Sequence, residues 1–163
     1  MTVAPVFSKG RDLEAAADAL GRWLTGRLGT SEVVAKSLSY PQGAGTSNET
    51  ILFEAQWTGG ETELVVRVAP APNYQMYLEP EFRLQYEILD HLGRKGSVRV
   101  PEVLWFEDDP AVLGRPFFIM RRMRGRVPVS MPVYNQTGWL VEASPAQRRT
   151  VWESAMGDRR AHV

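Results

Sequence analysis

The chain has 163 residues, 44% of them hydrophobic, so it is long enough for one domain, or one domain plus part of another, with a core of its own. Lys plus Arg and Asp plus Glu both number 19, so no net charge favours a nucleic acid or a membrane surface as partner. There is no cysteine, which excludes disulfides and thiolate zinc sites.

The first thirty residues do not have the composition of a targeting segment. Charged Lys9, Arg11, Asp12 and Glu14 stand where a secretory signal needs an apolar run, and no stretch approaches eighteen apolar residues. We therefore expect a soluble cytoplasmic protein without a membrane partner.

The first predicted element is a helix over residues 12–28, with Gly29 as its C-terminal cap. Its apolar residues recur at the spacing of one helical face: Leu13, Ala16, Ala17, Leu20, Leu24 and Leu28.

Three antiparallel strands are predicted next. In the first, alternation over residues 34–40 places four side chains on one face: Val34, Lys36, Leu38 and Tyr40. A turn-rich stretch over 41–48 separates it from the second strand, whose Ile51, Phe53, Ala55 and Trp57 share a face. A hairpin turn at Gly59 and Gly60 leads into a more buried strand over residues 64–68.

The second half begins with a proline-containing loop over 69–80 and a helix whose stripe ends near Gly93, formed by Phe82, Tyr86, Leu89 and Leu92. Two further strands, over 103–106 and 116–120, are joined through residues 107–110 and Gly114. After a connector over 125–138, Ser144 supplies an N-cap, Pro145 a first helical position and Gln147 the partner of a capping box. A last helix therefore follows, with Val151, Trp152, Ala155 and Met156 in its apolar stripe.

These elements indicate an α+β fold, with a five-stranded antiparallel sheet, a packed helix and flanking helices. Their order resembles the N-terminal lobe of protein kinase-like enzymes, and the local sequences are similar to those of the aminoglycoside phosphotransferase family. The resemblance implies three segments: an N-terminal helix over 1–30, a nucleotide-binding lobe over 31–125 that ends in the hinge, and, over 126–163, a connector and the first helix of a truncated C-terminal lobe.

The resemblance also implies a nucleotide site. Backbone N–H groups of the first turn would face the phosphates, at Gly43, Ala44, Gly45, Thr46, Ser47 and Asn48. Arg67, where kinases have lysine, would contact phosphates, and Gln85 would hold it in place, with Glu81 or Glu87 as substitutes. In the hinge, Met120 would line the adenine pocket, while the Arg121 carbonyl and the Met123 N–H would bind adenine.

Each of these residues also has a structural explanation. The turn can be an ordinary loop, and Arg67 can be a solvated side chain of an edge strand. The glutamates can lie on the exposed face of a helix, and methionines usually fill a core.

The implied full-length activity is transfer of the γ-phosphoryl group of ATP to a small-molecule hydroxyl, assisted by Mg²⁺. The family's catalytic-loop aspartate, in a His-Gly-Asp sequence, is not matched at His91 or His162. We therefore expect no catalytic residue or metal ligand here, an inactive isolated chain, and an exposed lobe interface that permits self-association.

Two alternatives remain at this point. One is a catalytically inactive fold or interaction module. The other is a nucleic-acid-binding domain that uses clustered arginines, namely Arg121, Arg122, Arg124 and Arg126 with Arg148, Arg149, Arg159 and Arg160. No aromatic-rich RNA motif or helix-turn-helix pattern accompanies those arginines, which favours a solvated face.

Overall fold

The computed structural model describes residues 11–41, 48–70, 81–96, 98–126 and 133–160, with the backbone alone for 158–160. In these residues the elements are, in chain order, α1 (Leu13–Leu28), β1 (Val33–Ser39), β2 (Glu49–Trp57), β3 (Gly60–Val68), α2 (Phe82–Lys95), β4 (Val103–Glu107), α3 (Pro110–Leu113), β5 (Phe117–Arg121), α4 (Trp139–Glu142) and α5 (Pro145–Arg160). None of the helices in the described part of the chain is both long and apolar enough to cross a membrane.

The first helix forms where its sequence predicts. The Asp12 carboxylate accepts hydrogen bonds from the backbone N–H groups of Glu14 and Ala15, and Gly29 ends the helix in the left-handed conformation with φ of 63°. Ala16, Leu20 and Leu24 are buried against the sheet. This helix therefore covers one sheet face.

The sheet is antiparallel, and its strands lie in the order β1-β2-β3-β5-β4. The prediction of an α+β fold with five antiparallel strands is confirmed. The face that packs on α1, here called the core face, carries Ile51, Phe53, Ala55, Leu64, Val66, Val68, Phe117 and Ile119. Trp57 pairs with Gly60 across the first hairpin, so the turn residues are Thr58 and Gly59, one position earlier than predicted.

The predicted alternation of β1 is wrong in its first half. Val33 and Ala35 are the buried side chains there, while Val34 is 50% exposed. The cause is an irregularity between Lys36 and Ser39, where Ser37 adopts a φ of 58°. This bulge shifts the phase by one residue, so that Leu38 and Tyr40 pack against the core as predicted.

The second long helix ends later than predicted. Gly93 lies inside α2, and Gly96 is the residue in the left-handed conformation, with its N–H donating to the carbonyls of Leu92 and Gly93. The sequence also gave no indication of α3, a single turn capped by the Asp109 carboxylate, which accepts a hydrogen bond from the Ala111 N–H at 2.8 Å.

The last helix begins as the capping box predicts. The Ser144 N–H donates to the Gln147 side-chain oxygen at 2.9 Å, and the Gln147 N–H donates to the Ser144 hydroxyl at 3.3 Å. The short helix α4, which was not predicted, precedes it. Val151 and Trp152 on α5 are 41% and 63% exposed, so the predicted apolar stripe faces outward in this chain.

Candidate functional site

The strand register arranges a row of apolar side chains on the sheet face opposite α1, here called the open face. Leu52 pairs with Val65, and Val65 pairs with Met120. Directly opposed residues in a sheet point to the same side, so these three side chains lie next to one another. Val65 is 6% exposed, and Leu52 and Met120 are partly exposed. Together they form a flat apolar surface that solvent partly reaches.

A cation lies beside this row. Arg67 is two residues after Val65 on β3, so it occupies the same face, between Thr50 on β2 and Phe118 on β5. Its guanidinium carbon lies 5.9 Å from the centroid of the Phe118 ring. Burial lowers the pKa of Arg67, although a guanidinium stays protonated at neutral pH. A partly desolvated guanidinium is well suited to bind phosphate.

Helix α2 covers the end of the open face nearest β4 and β5. Two of its aromatic rings contact two rings of the sheet at centroid distances of 5.3 to 5.9 Å, namely Phe82 and Tyr86 against Phe106 and Phe118. Arg83 adds a cation–π contact with Phe106 at 4.2 Å and an ion pair with Asp108. These contacts hold the helix against β4 and β5. They do not involve the row of Leu52, Val65 and Met120, in which Leu52 and Met120 stay partly exposed to solvent.

Asn48, the last of the predicted phosphate-binding residues over 43–48, contacts helix α2. Of these six predicted residues, Gly43, Ala44, Gly45, Thr46 and Ser47 lie outside the described residues. Asn48 is 5% exposed, and its side-chain amide donates a hydrogen bond to the Gln85 side-chain oxygen at 2.8 Å. Gln85 is thus the α2 side chain that bonds to Asn48, whereas Glu81 and Glu87 are exposed.

The half-buried carboxylate of Glu49 holds the start of β2 from the core-face side. Arg11 donates two hydrogen bonds to Glu49, at 3.0 and 2.9 Å, Arg115 donates one at 2.7 Å, and the Tyr40 hydroxyl donates one at 3.1 Å. Burial opposes ionisation of Glu49, but the hydrogen bonds and charge of Arg11 outweigh it together with the other donors, so its pKa lies below the usual 4.5. Burial, and then the charge of Glu49, raise the pKa of Tyr40.

The predicted hinge residues follow the row directly. Met120 is in the row, Arg121 is the last residue of β5, and Met123 comes two residues later with its side chain 54% exposed. The Arg121 N–H donates to the Glu102 carbonyl at 2.8 Å, and the Arg122 N–H donates to the Glu63 carbonyl at 3.1 Å. The backbone therefore leaves the sheet beside the apolar row.

Three of the arginines that suggested a nucleic-acid interface form ion pairs. Arg121 forms an ion pair with Glu102 at 2.6 Å, while Arg122 and Arg124 both approach Glu63, at 3.5 and 2.8 Å. A hydrogen bond from Arg124 lowers the pKa of Glu63. These pairs neutralise the charge that would attract a phosphate backbone, so they favour the solvated-face interpretation.

The described part of the chain offers no set of side chains that could bind a metal ion. Within the described ranges, no group of three or more His, Cys, Asp or Glu side chains could hold a metal ion.

Three side chains of the site were missed from the sequence: Leu52, Val65 and Phe118. A signal for Val65 and Leu52 existed, because Val65 is two residues before Arg67 and Leu52 alternates with the predicted core residues Ile51 and Phe53. Phe118 could not be assigned to either face, since β5 reads as a continuous apolar run.

Comparison with known proteins identifies a family and a curated relative that shares part of its sequence with this chain. The family described as APH, phosphotransferase enzyme family, matches residues 41–156, which include the first turn, the open face and the hinge. A protein of Arabidopsis thaliana named probable acyl-CoA dehydrogenase IBR3 is 34% identical over 85 residues, which are 52% of this chain and 10% of that protein. The match thus spans about a tenth of that relative's length.

Proposed function

The chain belongs to the phosphotransferase enzyme family, and we propose that it binds the adenine nucleotide that donates the phosphoryl group, on the open face of its sheet. The observation that carries this proposal is the row of Leu52, Val65 and Met120 directly beside Arg67. A partly exposed apolar row suits the flat surface of a purine, and a neighbouring guanidinium suits the phosphates attached to it.

Each residue has a defined part in this proposal. The apolar row contacts the base, and Arg67 neutralises phosphate charge. The Arg121 carbonyl and the Met123 N–H bind the edge of the adenine, and the turn over residues 43–47 supplies backbone N–H groups to the phosphates. ATP would supply the γ-phosphoryl group for a small-molecule hydroxyl acceptor, and Mg²⁺ would accompany it. Since no metal ligand set is described, we assign no residue to the metal.

The contribution of Arg67 to phosphate binding can be separated from that of the base. ATP and adenosine are titrated into the chain and followed by saturation-transfer NMR, for wild type, Arg67→Ala and Arg67→Met. We expect a millimolar Kd for ATP, about 4 kcal/mol of binding free energy, and at least about tenfold weaker ATP binding in both variants. Adenosine, which lacks phosphates, should bind all three proteins equally.

Arg22→Ala is the matched control, because Arg22 is an exposed arginine on α1, the helix that covers the other sheet face. It should bind ATP like wild type. Equal ATP affinity of wild type and both Arg67 variants, with folding verified by thermal melting, would remove Arg67 from the site. No ATP binding by the wild type would contradict the proposal as a whole.

A further inference from the structure

Helix α2 contacts the sheet side at two separate places, through aromatic packing at one and through a hydrogen bond at the other. At the β4 and β5 side, Phe82 and Tyr86 pack on Phe106 and Phe118. Toward the opposite side, the Asn48 amide at the start of β2 donates to Gln85. Since Gln85 lies three residues after Phe82 and next to Tyr86, it belongs to the same sheet-facing side of the helix.

The polar link lies on the open face. Thr50 pairs with Arg67, and Asn48 is two residues before Thr50 on β2, so Asn48 points to the side that carries Arg67. Asn48 is the one buried polar residue among the described residues, at 5% exposed. A buried amide is costly to place without hydrogen bonds, so the bond to Gln85 should stabilise this position.

We infer that Asn48 and Gln85 are positioning residues that fix how far α2 lies over the open face, and thereby set the surroundings of Arg67 for nucleotide phosphates. The aromatic contacts join the helix to β4 and β5, whereas the Asn48–Gln85 hydrogen bond joins it to the start of β2. The pair acts on the nucleotide through the helix, so neither side chain needs to touch it. This inference rests on the proposed nucleotide site.

The inference is tested with variants of Gln85 that keep or remove the acceptor. Gln85→Glu keeps an oxygen that accepts from the Asn48 amide, and Gln85→Leu keeps the approximate volume but removes the acceptor. We expect Gln85→Leu to bind ATP about fivefold to tenfold more weakly than wild type, and Gln85→Glu to retain at least wild-type affinity. His91→Leu, at an exposed position of the same helix, is the control and should bind ATP like wild type.

A double-variant cycle separates positioning from direct contact. If Asn48 acts through Gln85, then Asn48→Ala and Gln85→Leu each weaken ATP binding, and the double variant is no weaker than the poorer single variant. The backbone NMR response of α2 to ATP should also disappear in Gln85→Leu, while the response at Met120 persists. A purely structural role would lower the melting temperature and leave this response unchanged.

Failure of this inference differs from failure of the proposed function. Wild type that does not bind ATP contradicts the nucleotide site itself. Wild type that binds ATP, with Gln85→Leu binding equally well or with fully additive effects of the two changes, leaves the nucleotide site in place and overturns the positioning role.

Discussion

The guanidinium of Arg67 lies over the ring of Phe118, its direct partner across β3 and β5, with 5.9 Å between the guanidinium carbon and the ring centroid. The same ring packs against Phe82 and Tyr86 of α2. Arg67 and the helix beside it therefore contact one shared aromatic side chain. We therefore expect the shape of the cation to matter for nucleotide binding as well as its charge.

Replacing Arg67 by lysine should weaken nucleotide binding although the charge is kept. Lysine has neither the guanidinium that contacts Phe118 nor the paired N–H donors that match a phosphate. We expect Arg67→Lys to bind ATP about threefold to tenfold more weakly, with adenosine unaffected. Titrations of both ligands check this, with Arg22→Lys as the control, and equal ATP affinity of Arg67→Lys and wild type would contradict it.

A glycine in α1 permits close packing of the helix on the sheet. A Cβ added at Gly21 would lie 2.7 Å from the Val33 carbonyl oxygen, whereas one added at Gly26 would meet nothing within 4 Å. Gly21→Ala should therefore destabilise the chain by about 1 to 3 kcal/mol, against its helix propensity. Gly26→Ala should stabilise it by up to about 1 kcal/mol. Urea unfolding measures both, and a stabilised Gly21→Ala would refute the close contact.

Gly21 illustrates what the sequence could not predict. Periodicity placed α1 and α2 and the alternation of β2 correctly, because these depend on residues a few positions apart. The clash at Gly21, the bulge at Ser37 and the end of α2 at Gly96 depend on backbone placed by the rest of the fold.

The same limit applies to the candidate site. Arg67 and Met120 could be named as candidates because strand order and local sequence indicated them, and their roles stay predictions. The link from Asn48 to Gln85 spans 37 residues, and the one from Arg115 to Glu49 spans 66, so no local pattern signals either. The structure adds a contact between Asn48 and Gln85, which the sequence had named, and one between Glu49 and Arg115, which it had not.

The ionised form of Glu49 should stabilise the fold. Its side chain is 11% exposed, and Arg11 and Arg115 both pair with it, so Glu49→Gln leaves two partly buried guanidinium groups without their counter-ion. We expect a loss of about 3 kcal/mol in unfolding free energy at pH 7. Glu54→Gln is the control, because Glu54 is 38% exposed and pairs with Lys36 at 3.6 Å, and it should change stability by less than about 0.5 kcal/mol.

The cost of Glu49→Gln should depend on pH in one direction. The folded-state pKa of Glu49 is lowered from 4.5, so the stabilisation is present above about pH 4.5 and is lost as the pH falls through the lower folded-state pKa. The difference between wild type and Glu49→Gln should therefore shrink below pH 4.5. Urea unfolding at a series of pH values tests this. A difference in unfolding free energy that stays constant or grows on acidification would be inconsistent with an ionised Glu49 paired with Arg11 and Arg115.

The capping box should account for much of the helicity at the start of α5. Ser144→Ala removes the hydroxyl that accepts from the Gln147 N–H, and we expect a loss of about 1 kcal/mol in local stability. Amide hydrogen exchange over residues 147–151 should accelerate about fivefold. Ser154→Ala, at an exposed position further along α5, is the control and should leave exchange over residues 147–151 unchanged. Unaltered exchange in Ser144→Ala would show that other contacts hold this end.

The central claim is that the nucleotide lies on the open face of the sheet, and a methyl NMR titration with ATP tests it most directly. At about 5 mM ATP, a concentration above a millimolar Kd, we predict shifts for the methyl groups of Leu52, Val65 and Met120. The core-face methyl groups of Ile51, Val66 and Ile119, which are fully buried under α1, should stay in place. Shifts absent from the open face at that concentration, or found only around Val151 on α5, would contradict the claim.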